Sequence, residues 1–198
     1  MRIVLATHNL HKVDEIEKIL SDLPIDLLSL ENFLGIGEIV EDGETLEDNA
    51  RKKARTVFEK TELLSLADDT GLEVDALNGR PGVYSARYSG ENATYEGNNK
   101  KLLFELKDIP LEKRSAKFRC VISIFGKGID KIAVGEVRGR ILDEVRGRNG
   151  FGYDPLFVPD GHQLTYAEMD SSLKNKLSHR ARALMEAKRI LTELAGGL

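Results

Sequence analysis

Residues 66–71, LADDTG, place two adjacent carboxylates directly after the apolar run LLSLA at residues 63–67. The apolar run predicts a buried strand, and the acids followed by Gly71 predict that this strand ends at Asp68 and Asp69. An ionised carboxylate is costly to remove from water unless a cation or hydrogen-bond donors compensate its charge. The pair therefore indicates either a solvated turn or a metal or general-base site at the end of the strand.

The composition narrows the class of protein. With 198 residues, 41% of them hydrophobic and 31% charged, the chain suits a single domain over residues 1–198. The only cysteine, Cys120, excludes an intrachain disulfide and is expected to pack as a small apolar residue. The net charge of -4 argues against binding to a nucleic-acid polymer. No apolar segment reaches the roughly 18 residues of a membrane span and the first residues do not resemble a signal peptide, so we expect a soluble, cytoplasmic protein that does not bind membranes.

Strands and helices alternate in the first part of the chain. Residues 2–6, RIVLA, form a continuous apolar run typical of a central strand buried on both faces. A helix capped by Asn9 is predicted directly after it, and a second helix capped by Thr45 is predicted over residues 46–60. Apolar residues recur at helical spacing in both, namely Val13, Ile16, Ile19 and Leu20, and then Leu46, Ala50, Ala54, Val57 and Phe58.

The second part of the chain predicts a loop, a hairpin and two helices. Residues 78–97 are rich in Gly, Pro and Asn and predict a long loop, which a helix over residues 96–107 follows. Residues 116–124 alternate as a half-buried strand does, and the turn sequence GKGIDK then predicts a hairpin with residues 132–141. The last helix is predicted over residues 178–194, with a stripe of Ala181, Leu184, Met185, the stem of Lys188, and Leu191. Together these elements predict a mixed α/β protein.

The segment THNLHK at residues 7–12 lies between the first predicted strand and helix. A helix N-terminus presents unpaired N–H groups and the positive end of the helix dipole, and Lys12 adds a full charge in the first turn. The segment therefore indicates a phosphate-binding site, although a capped helix with a solvated lysine fits it equally well.

Further acids lie in residues 36–50, IGEIVEDGETLEDNA. Magnesium binds few protein carboxylates and keeps waters and substrate phosphates as its other ligands, so one glutamate, Glu38 or Glu41, with one aspartate would form a site. Asp42 and Glu44 are expected to lie in a solvated turn. Because strand side chains alternate, Asp68 and Asp69 would both meet one ion only where the strand has ended.

A second polar group lies in FGYDP at residues 151–155 and SLKNKLSHRARAL at residues 172–184. An aromatic ring beside a carboxylate is suited to stack on a nucleobase and to accept from its ring N–H. Lys174, His179 and Arg180 supply donors near a predicted helix start. The alternatives are that Phe151 and Tyr153 anchor the loop and that His179 is a surface imidazole.

Four segments, in order, resemble the inosine triphosphate pyrophosphatase family. They are LATHNLHKVDEI at residues 5–16, ADDTGLEVDALNGRPGVYSARYSG at residues 67–90, GFGYDPLF at residues 150–157 and LSHRARAL at residues 177–184. One departure is His8, where bacterial relatives usually have glycine, so the detailed contacts of the phosphate loop are expected to differ.

The resemblance implies an elongated α/β fold of two lobes, built on a mixed sheet with flanking helices and a long β-hairpin, with the nucleotide cleft between the lobes. It also implies a homodimer, a requirement for Mg²⁺, and hydrolysis of non-standard purine nucleoside triphosphates (ITP, dITP, XTP) to the monophosphate and pyrophosphate. The nucleotide contacts that it implies are Thr7, His8, Asn9, Leu10, His11, Lys12, Thr70, Phe151, Gly152, Tyr153, Asp154, Lys174, His179 and Arg180.

We expect Asp69 to hold Mg²⁺ with Glu38 or Glu41 and to orient or deprotonate a water, with Asp68 in support. Lys12 is expected to neutralise charge on the phosphates as pyrophosphate leaves.

For the base, we expect Phe151 to stack, Asp154 or nearby main chain to read the base edge, and His179 or Arg180 to donate to O6. Adenine would leave such groups unpaired, because it presents an amino donor and a bare N1 acceptor. Two alternatives remain, namely a nucleotide sensor that does not hydrolyse its ligand and a pyrophosphatase for modified pyrimidine triphosphates.

Overall fold

A computed structural model describes residues 1–33 and 35–196. Five α-helices lie within these residues, namely α1 (Leu10–Leu20), α2 (Leu46–Thr61), α3 (Tyr95–Glu105), α4 (Ser171–Leu177) and α5 (His179–Gly196). The strands described are β1 (Arg2–Leu5), β2 (Asp26–Leu28), β3 (Leu64–Val74), β4 (Pro81–Gly82), β5 (Ser115–Gly126), β6 (Ile129–Ile141) and β7 (Phe157–Pro159). No helix in the described part of the chain is both long and apolar enough to cross a membrane.

The strands form one mixed sheet in the order β2-β1-β3-β5-β6-β7, with β4 beside β3. β1 is parallel to β2 and to β3, whereas β4 and β7 are antiparallel to β3 and β6. β5 and β6 are neighbours joined by only two residues, which confirms the predicted hairpin. The mixed α/β fold with flanking helices is therefore confirmed.

Contacts divide the chain into two compact units, and the prediction of a single domain over residues 1–198 stays a prediction. The first unit comprises the described parts of residues 1–69, 120–135 and 180–198. Within it, β1 is buried on both faces, as its unbroken apolar run predicts. Ile3 and Leu5 pack in one cluster with α1 and α5, and Val4 packs in another with α2.

The second unit comprises residues 70–119 and 136–179. Its core contains apolar side chains from β3, α3, β5 and β6 and an aromatic group from β5 and the residues after β6. In that group the ring centres of Phe118 and Phe157 lie 4.8 Å apart, and those of Phe157 and Tyr166 lie 5.2 Å apart.

The prediction that a strand ends at Asp68 and Asp69 is wrong, because β3 continues to Val74. Leu72 and Val74 are fully buried in the core of the second unit, so the strand pattern resumes after the acids. The two carboxylates consequently lie inside a strand, on its opposite faces.

Two helices differ from their predicted bounds. The last helix, predicted over residues 178–194, is α5 and begins one residue later, at His179. The backbone of Ser178 is extended (φ -68°, ψ 160°) and separates α5 from α4, a helix that was not predicted. Met185 is 65% exposed and is not part of the buried stripe, where Ala183, Ala187 and Ile190 lie instead. α3 begins one residue early at Tyr95, because the Thr94 side chain caps it by accepting from Gly97 N.

The close pairing of β6 with β7 yields a stability prediction. A Cβ atom added at Gly139 would lie 2.2 Å from the Val158 carbonyl oxygen and 2.7 Å from Phe157 Cζ. We expect Gly139→Ala to lower the free energy of unfolding by about 1–3 kcal/mol or more through overpacking, measured by urea denaturation. The control is Gly37→Ala, since nothing lies within 4 Å of its added Cβ. Equal stabilities of the two variants would contradict the tight β6–β7 contact.

Candidate active site

The loop between β1 and α1 is ordered by its own side chains. Thr7 Oγ1 accepts from Asn9 N at 3.1 Å. Asn9 Oδ1 in turn accepts from His11 N at 3.1 Å and from Lys12 N at 3.4 Å, so Asn9 is confirmed as the N-cap of α1. His8 is exposed on this loop, and Leu10 and His11 are exposed in the first turn of α1.

Lys12 is not a solvated lysine in this structure. Its side chain is only 15% exposed and pairs with Asp68 Oδ1, and its Nζ also donates to the Asp68 carbonyl at 3.4 Å. The first turn of α1 thus brings one full positive charge to the acids of β3.

Asp68 is fully buried, and its carboxylate is held by donors from other elements. Arg180 Nε donates to Asp68 Oδ2 at 2.9 Å, Cys120 Sγ donates to the same oxygen at 2.9 Å, and Lys12 pairs with Oδ1. Burial alone would raise the pKa of Asp68, but the charges of Arg180 and Lys12 outweigh it and hold that pKa well below its usual range. Asp68 is therefore an ionised carboxylate, and Cys120 contacts it in addition to filling core space.

Arg180 continues this network to α1. Its guanidinium is 1% exposed, and Nη1 donates to Glu15 Oε2 at 2.5 Å while Nε holds Asp68. Two carboxylates thus compensate one buried guanidinium, which is the condition under which burial of charge is tolerated.

Asp69 lies on the other face of β3 and meets α2. Lys53 Nζ donates to Asp69 Oδ1 at 3.0 Å, to Glu41 Oε1 at 2.5 Å and to the Asp68 carbonyl at 2.7 Å. Burial raises the pKa of Asp69, and the nearby Glu41 carboxylate adds to that rise against the opposing charges of Lys53 and Lys12. The pKa values of the two aspartates are thus shifted in opposite directions, and Asp69 is the stronger proton acceptor of the two.

The faces of β3 explain this division. Leu66 packs in the cluster formed with α1 and α5, and Asp68, two residues later, meets Lys12 of α1 and Arg180 of α5. Ala67 packs in the cluster formed with α2, and Asp69 meets Lys53 of α2. Alternation along the strand therefore assigns each acid its own cation.

Among the described residues, no group of three or more His, Cys, Asp and Glu side chains is placed to hold a metal ion. Oxygens of Glu41, Asp69 and the Asp68 carbonyl nevertheless surround the Lys53 ammonium within 3.0 Å. These oxygens are hard donors of the type that Mg²⁺ prefers, so the residue types suit that ion, and the magnesium site stays a prediction. Glu38 is exposed, and the geometry favours Glu41 of the two candidate glutamates.

In the second unit, Asp154 organises the FGYD loop. Its Oδ2 accepts from Phe151 N at 2.9 Å and from Lys174 Nζ at 2.6 Å. Lys174 Nζ also lies 4.8 Å from the centre of the Phe151 ring, and Asn99 Nδ2 donates to the Gly152 carbonyl at 3.1 Å. The loop is held at several points while Phe151 stays half-buried.

The remaining predicted base contacts are buried or half-buried. Tyr153 is 4% exposed and donates to the Ser85 carbonyl at 2.8 Å, as an anchor of the loop would. His179 is 3% exposed and its ring stacks on Phe118 at 4.5 Å, so it is not a surface imidazole. Thr70 lies half-buried on β3.

Sequence reasoning missed Lys53 and Glu15. Lys53 follows Ala50 by three residues and precedes Val57 by four, so it lies on the buried stripe of α2. A lysine at such a position requires a compensating acid, and that signal was available in the sequence. No comparable signal marks Glu15, because its partner Arg180 is 165 residues further along the chain.

The fold and site define a mixed α/β protein with a buried carboxylate–lysine centre on its central sheet. The chain belongs to the Ham1 family, whose sequence profile matches residues 3–190. It is 50% identical over 189 residues to a dITP/XTP pyrophosphatase of Thermoanaerobacter pseudethanolicus, covering 95% of each chain. It is 54% identical over 184 residues to a dITP/XTP pyrophosphatase of Geobacter sulfurreducens, covering 92% of each.

Solved structures agree with the family assignment. A HAM1 protein from Coxiella burnetii matches with a TM-score of 0.89 at 42% identity, covering 98% of this chain and 99% of that one. The Ham1 protein of Staphylococcus aureus matches with a TM-score of 0.87 at 37% identity, again covering 98% of this chain and 99% of that one. The resemblance drawn from four sequence segments is thereby confirmed.

Proposed function

We propose that this protein is a Mg²⁺-dependent pyrophosphatase that hydrolyses non-standard purine nucleoside triphosphates (ITP, dITP, XTP) to the monophosphate and pyrophosphate. The observation that carries the proposal is the pair of buried aspartates on β3, each matched to a lysine from a neighbouring helix. The names of the relatives, dITP/XTP pyrophosphatase, support the substrate class. A nucleotide sensor that does not hydrolyse its ligand is not favoured, because it has no need of these buried acids.

Asp69 acts as the proton acceptor for the attacking water in this proposal. Its pKa is raised by burial, so its carboxylate takes up a proton more readily than an ordinary aspartate does. Asp68 stays ionised beside it and orients Lys12, whose ammonium neutralises the phosphates as pyrophosphate leaves. Lys53 holds Asp69 and Glu41 in place and supplies a second positive charge.

Glu41 and Asp69 would hold the magnesium ion. When bound, Mg²⁺ neutralises phosphate charge and lowers the pKa of a coordinated water. The lysines of this cluster would compensate the negative charge of the triphosphate, and its carboxylates would compensate the positive charge of the ion.

For the base, we propose that the Phe151 ring stacks on the purine. Asp154 and Lys174 hold the Phe151 ring in position. Stacking on an aromatic side chain is worth about 1–3 kcal/mol per base and does not depend on base identity. Discrimination against adenine falls to polar groups near O6 and N1, for which His179 and Arg180 stay the predicted donors. In this structure Arg180 donates to Asp68 and Glu15, which favours a further role in holding Asp68.

A product assay tests the proposed function. The purified protein is incubated with ITP, XTP, dUTP and ATP in the presence of Mg²⁺, and pyrophosphate and orthophosphate are measured separately. We expect pyrophosphate and monophosphate from ITP and XTP, little product from ATP, and no activity after chelation of the metal. Cleavage of dUTP alone would instead identify a pyrimidine enzyme, and absence of any product would identify a sensor.

We also propose that the protein is a cytoplasmic homodimer, as the family resemblance implies. Light scattering on the full chain at two concentrations checks this assembly. A mass of about twice 22.0 kDa is expected, and a monomer at both concentrations would contradict it.

Removal of the Lys174 ammonium is expected to weaken substrate binding. Lys174→Met leaves Asp154 buried without its cation and loosens Phe151, so KM for ITP should rise about 10- to 100-fold, the equivalent of about 1.5–3 kcal/mol. Steady-state kinetics with ITP check this. The control is Lys176→Met, because Lys176 is exposed on the same helix. Equal KM values for the two variants would contradict the assignment of this loop to the base.

A further inference from the structure

Three consecutive residues, 41–43, contact α2 through three separate side-chain interactions. Glu41 pairs with Lys53 at 2.5 Å, Asp42 pairs with Lys52 at 2.5 Å, and Gly43 N donates to Asn49 Oδ1 at 2.8 Å. We refer to residues 41–43 as the acidic loop. Its position relative to α2 decides where the Glu41 carboxylate lies.

The three contacts differ in how far water reaches them. The side chains of Asp42 and Lys52 are 67% and 40% exposed, so water weakens their attraction. Asn49 is 1% exposed and Gly43 is half-buried, so the acceptor end of their hydrogen bond is shielded from solvent. The Asn49–Gly43 contact is therefore screened less by water than the Asp42–Lys52 pair and holds the loop beside the Glu41–Lys53 pair.

The packing at Gly43 shows how close the loop comes to α2. A Cβ atom added at Gly43 would lie 2.7 Å from Asn49 Oδ1 and 2.8 Å from Asp48 Cβ. Any side chain at position 43 would push the loop away from the helix, so glycine permits this hydrogen bond.

Stability alone does not explain the amide at position 49. Asn49 follows Leu46 by three residues and precedes Lys53 by four, on the buried stripe of α2. Its Nδ2 is buried and has no hydrogen-bond partner within the described residues. An unsatisfied buried donor lowers stability, and an apolar side chain would fill this space at lower cost. What Asn49 contributes is the acceptor for Gly43 N.

We propose that Asn49 is a positioning residue for the reaction. By accepting from Gly43 N, it holds the acidic loop against α2 and keeps the Glu41 carboxylate at the Lys53 ammonium, one helical turn further along the same face. The inference rests on the proposed function, in which Glu41 serves the magnesium ion. Asn49 itself contacts neither the substrate nor the metal in this account.

The test uses Asn49→Leu, which keeps the number and branching of the side-chain heavy atoms and removes the acceptor. We expect kcat/KM for Mg²⁺-ITP to fall about 10- to 100-fold, as is typical when a residue supporting a metal ligand is lost. Stability to urea should be unchanged or higher, which separates this loss from unfolding. Asn49→Asp, which keeps an acceptor, should restore most of the activity. Lys52→Ala is the matched control and should retain nearly full activity, because its pair with Asp42 is exposed.

A double-mutant cycle shows whether Asn49 acts through Glu41. In the Glu41→Gln background, adding Asn49→Leu should change kcat/KM by less than about twofold, because the carboxylate that Asn49 positions is already gone. Losses that multiply in the double variant would overturn the proposal, and so would wild-type activity of Asn49→Leu.

Amide hydrogen exchange at Gly43 supplies a readout that needs no activity. Exchange should be slow in the wild type and in Asn49→Asp and fast in Asn49→Leu, with no nucleotide or metal present. If the wild-type protein cleaved no ITP, the proposed function would fail while this measurement still decided whether Asn49 holds the loop. Equal exchange rates in the wild type and Asn49→Leu would overturn the positioning role.

Discussion

An Asp69→Asn variant is expected to fold normally and to lose about 10³-fold in kcat on ITP, with a much smaller change in KM. The amide retains the shape of the side chain and can still contact Lys53, but it cannot accept a proton from the attacking water. The loss therefore falls on the chemical step. Steady-state kinetics at saturating Mg²⁺, with circular dichroism to verify the fold, measure it.

The control for this variant is Asp42→Asn, which removes an exposed carboxylate of the same neighbourhood. Its side chain is 67% exposed, so its kcat should stay within about twofold of the wild type. Near-normal turnover of Asp69→Asn at saturating magnesium would remove the role assigned to Asp69.

Replacement of Arg180 should produce the largest loss of stability. Arg180→Met removes the guanidinium that pairs with both Asp68 and Glu15 in the buried network. Removal of one partner from a buried ion pair costs about 3–5 kcal/mol. Urea denaturation measures the change, and Arg182→Met, an exposed position on the same helix, is expected to change stability by less than about 0.5 kcal/mol.

The loss in Arg180→Met should also depend on pH. Because Arg180 and Lys12 hold the pKa of Asp68 well below 3.8, the stability that this carboxylate contributes is present above pH 3.8 and declines as pH falls below that value. The difference between the wild type and the variant should therefore be largest near neutral pH and shrink in acid. A difference that is constant between pH 7 and pH 3 would contradict the ion pair as its source.

Local patterns predicted most elements of the first unit. The apolar run of β1, the Asn9 cap of α1 and the Thr45 cap of α2 are all confirmed, because each depends on residues adjacent in the sequence. The hairpin of β5 and β6 follows from alternation and a short turn in the same way.

The error at Asp68 and Asp69 has a long-range cause. Two adjacent acids normally end a strand, and here they do not because cations from three helices compensate them. Arg180 is 112 residues away from Asp68 along the chain, so no local pattern reports the pairing. The start of the last helix was predicted to within one residue, since α5 begins at His179 rather than at Ser178, whereas α4 before it was not predicted.

The sequence indicated that the buried acids need partners, but it did not indicate which residues those partners are. The expectation that the acids need partners is correct, but Lys12 was predicted to contact phosphates rather than Asp68, and Lys53 was overlooked among the charged residues of α2. Lys53 and Asn49 share a recognisable signal, namely a polar residue on a buried helical stripe. Such residues are rarely buried without a partner, and their partners here lie in the acidic loop and on β3.

In the proposed reaction, water attacks the innermost phosphorus of a purine nucleoside triphosphate. Hydrolysis of ITP in water labelled with oxygen-18, followed by mass spectrometry of both products, tests it directly. We expect the label in the inosine monophosphate and none in the pyrophosphate. Label in the pyrophosphate, or release of orthophosphate in its place, would contradict it.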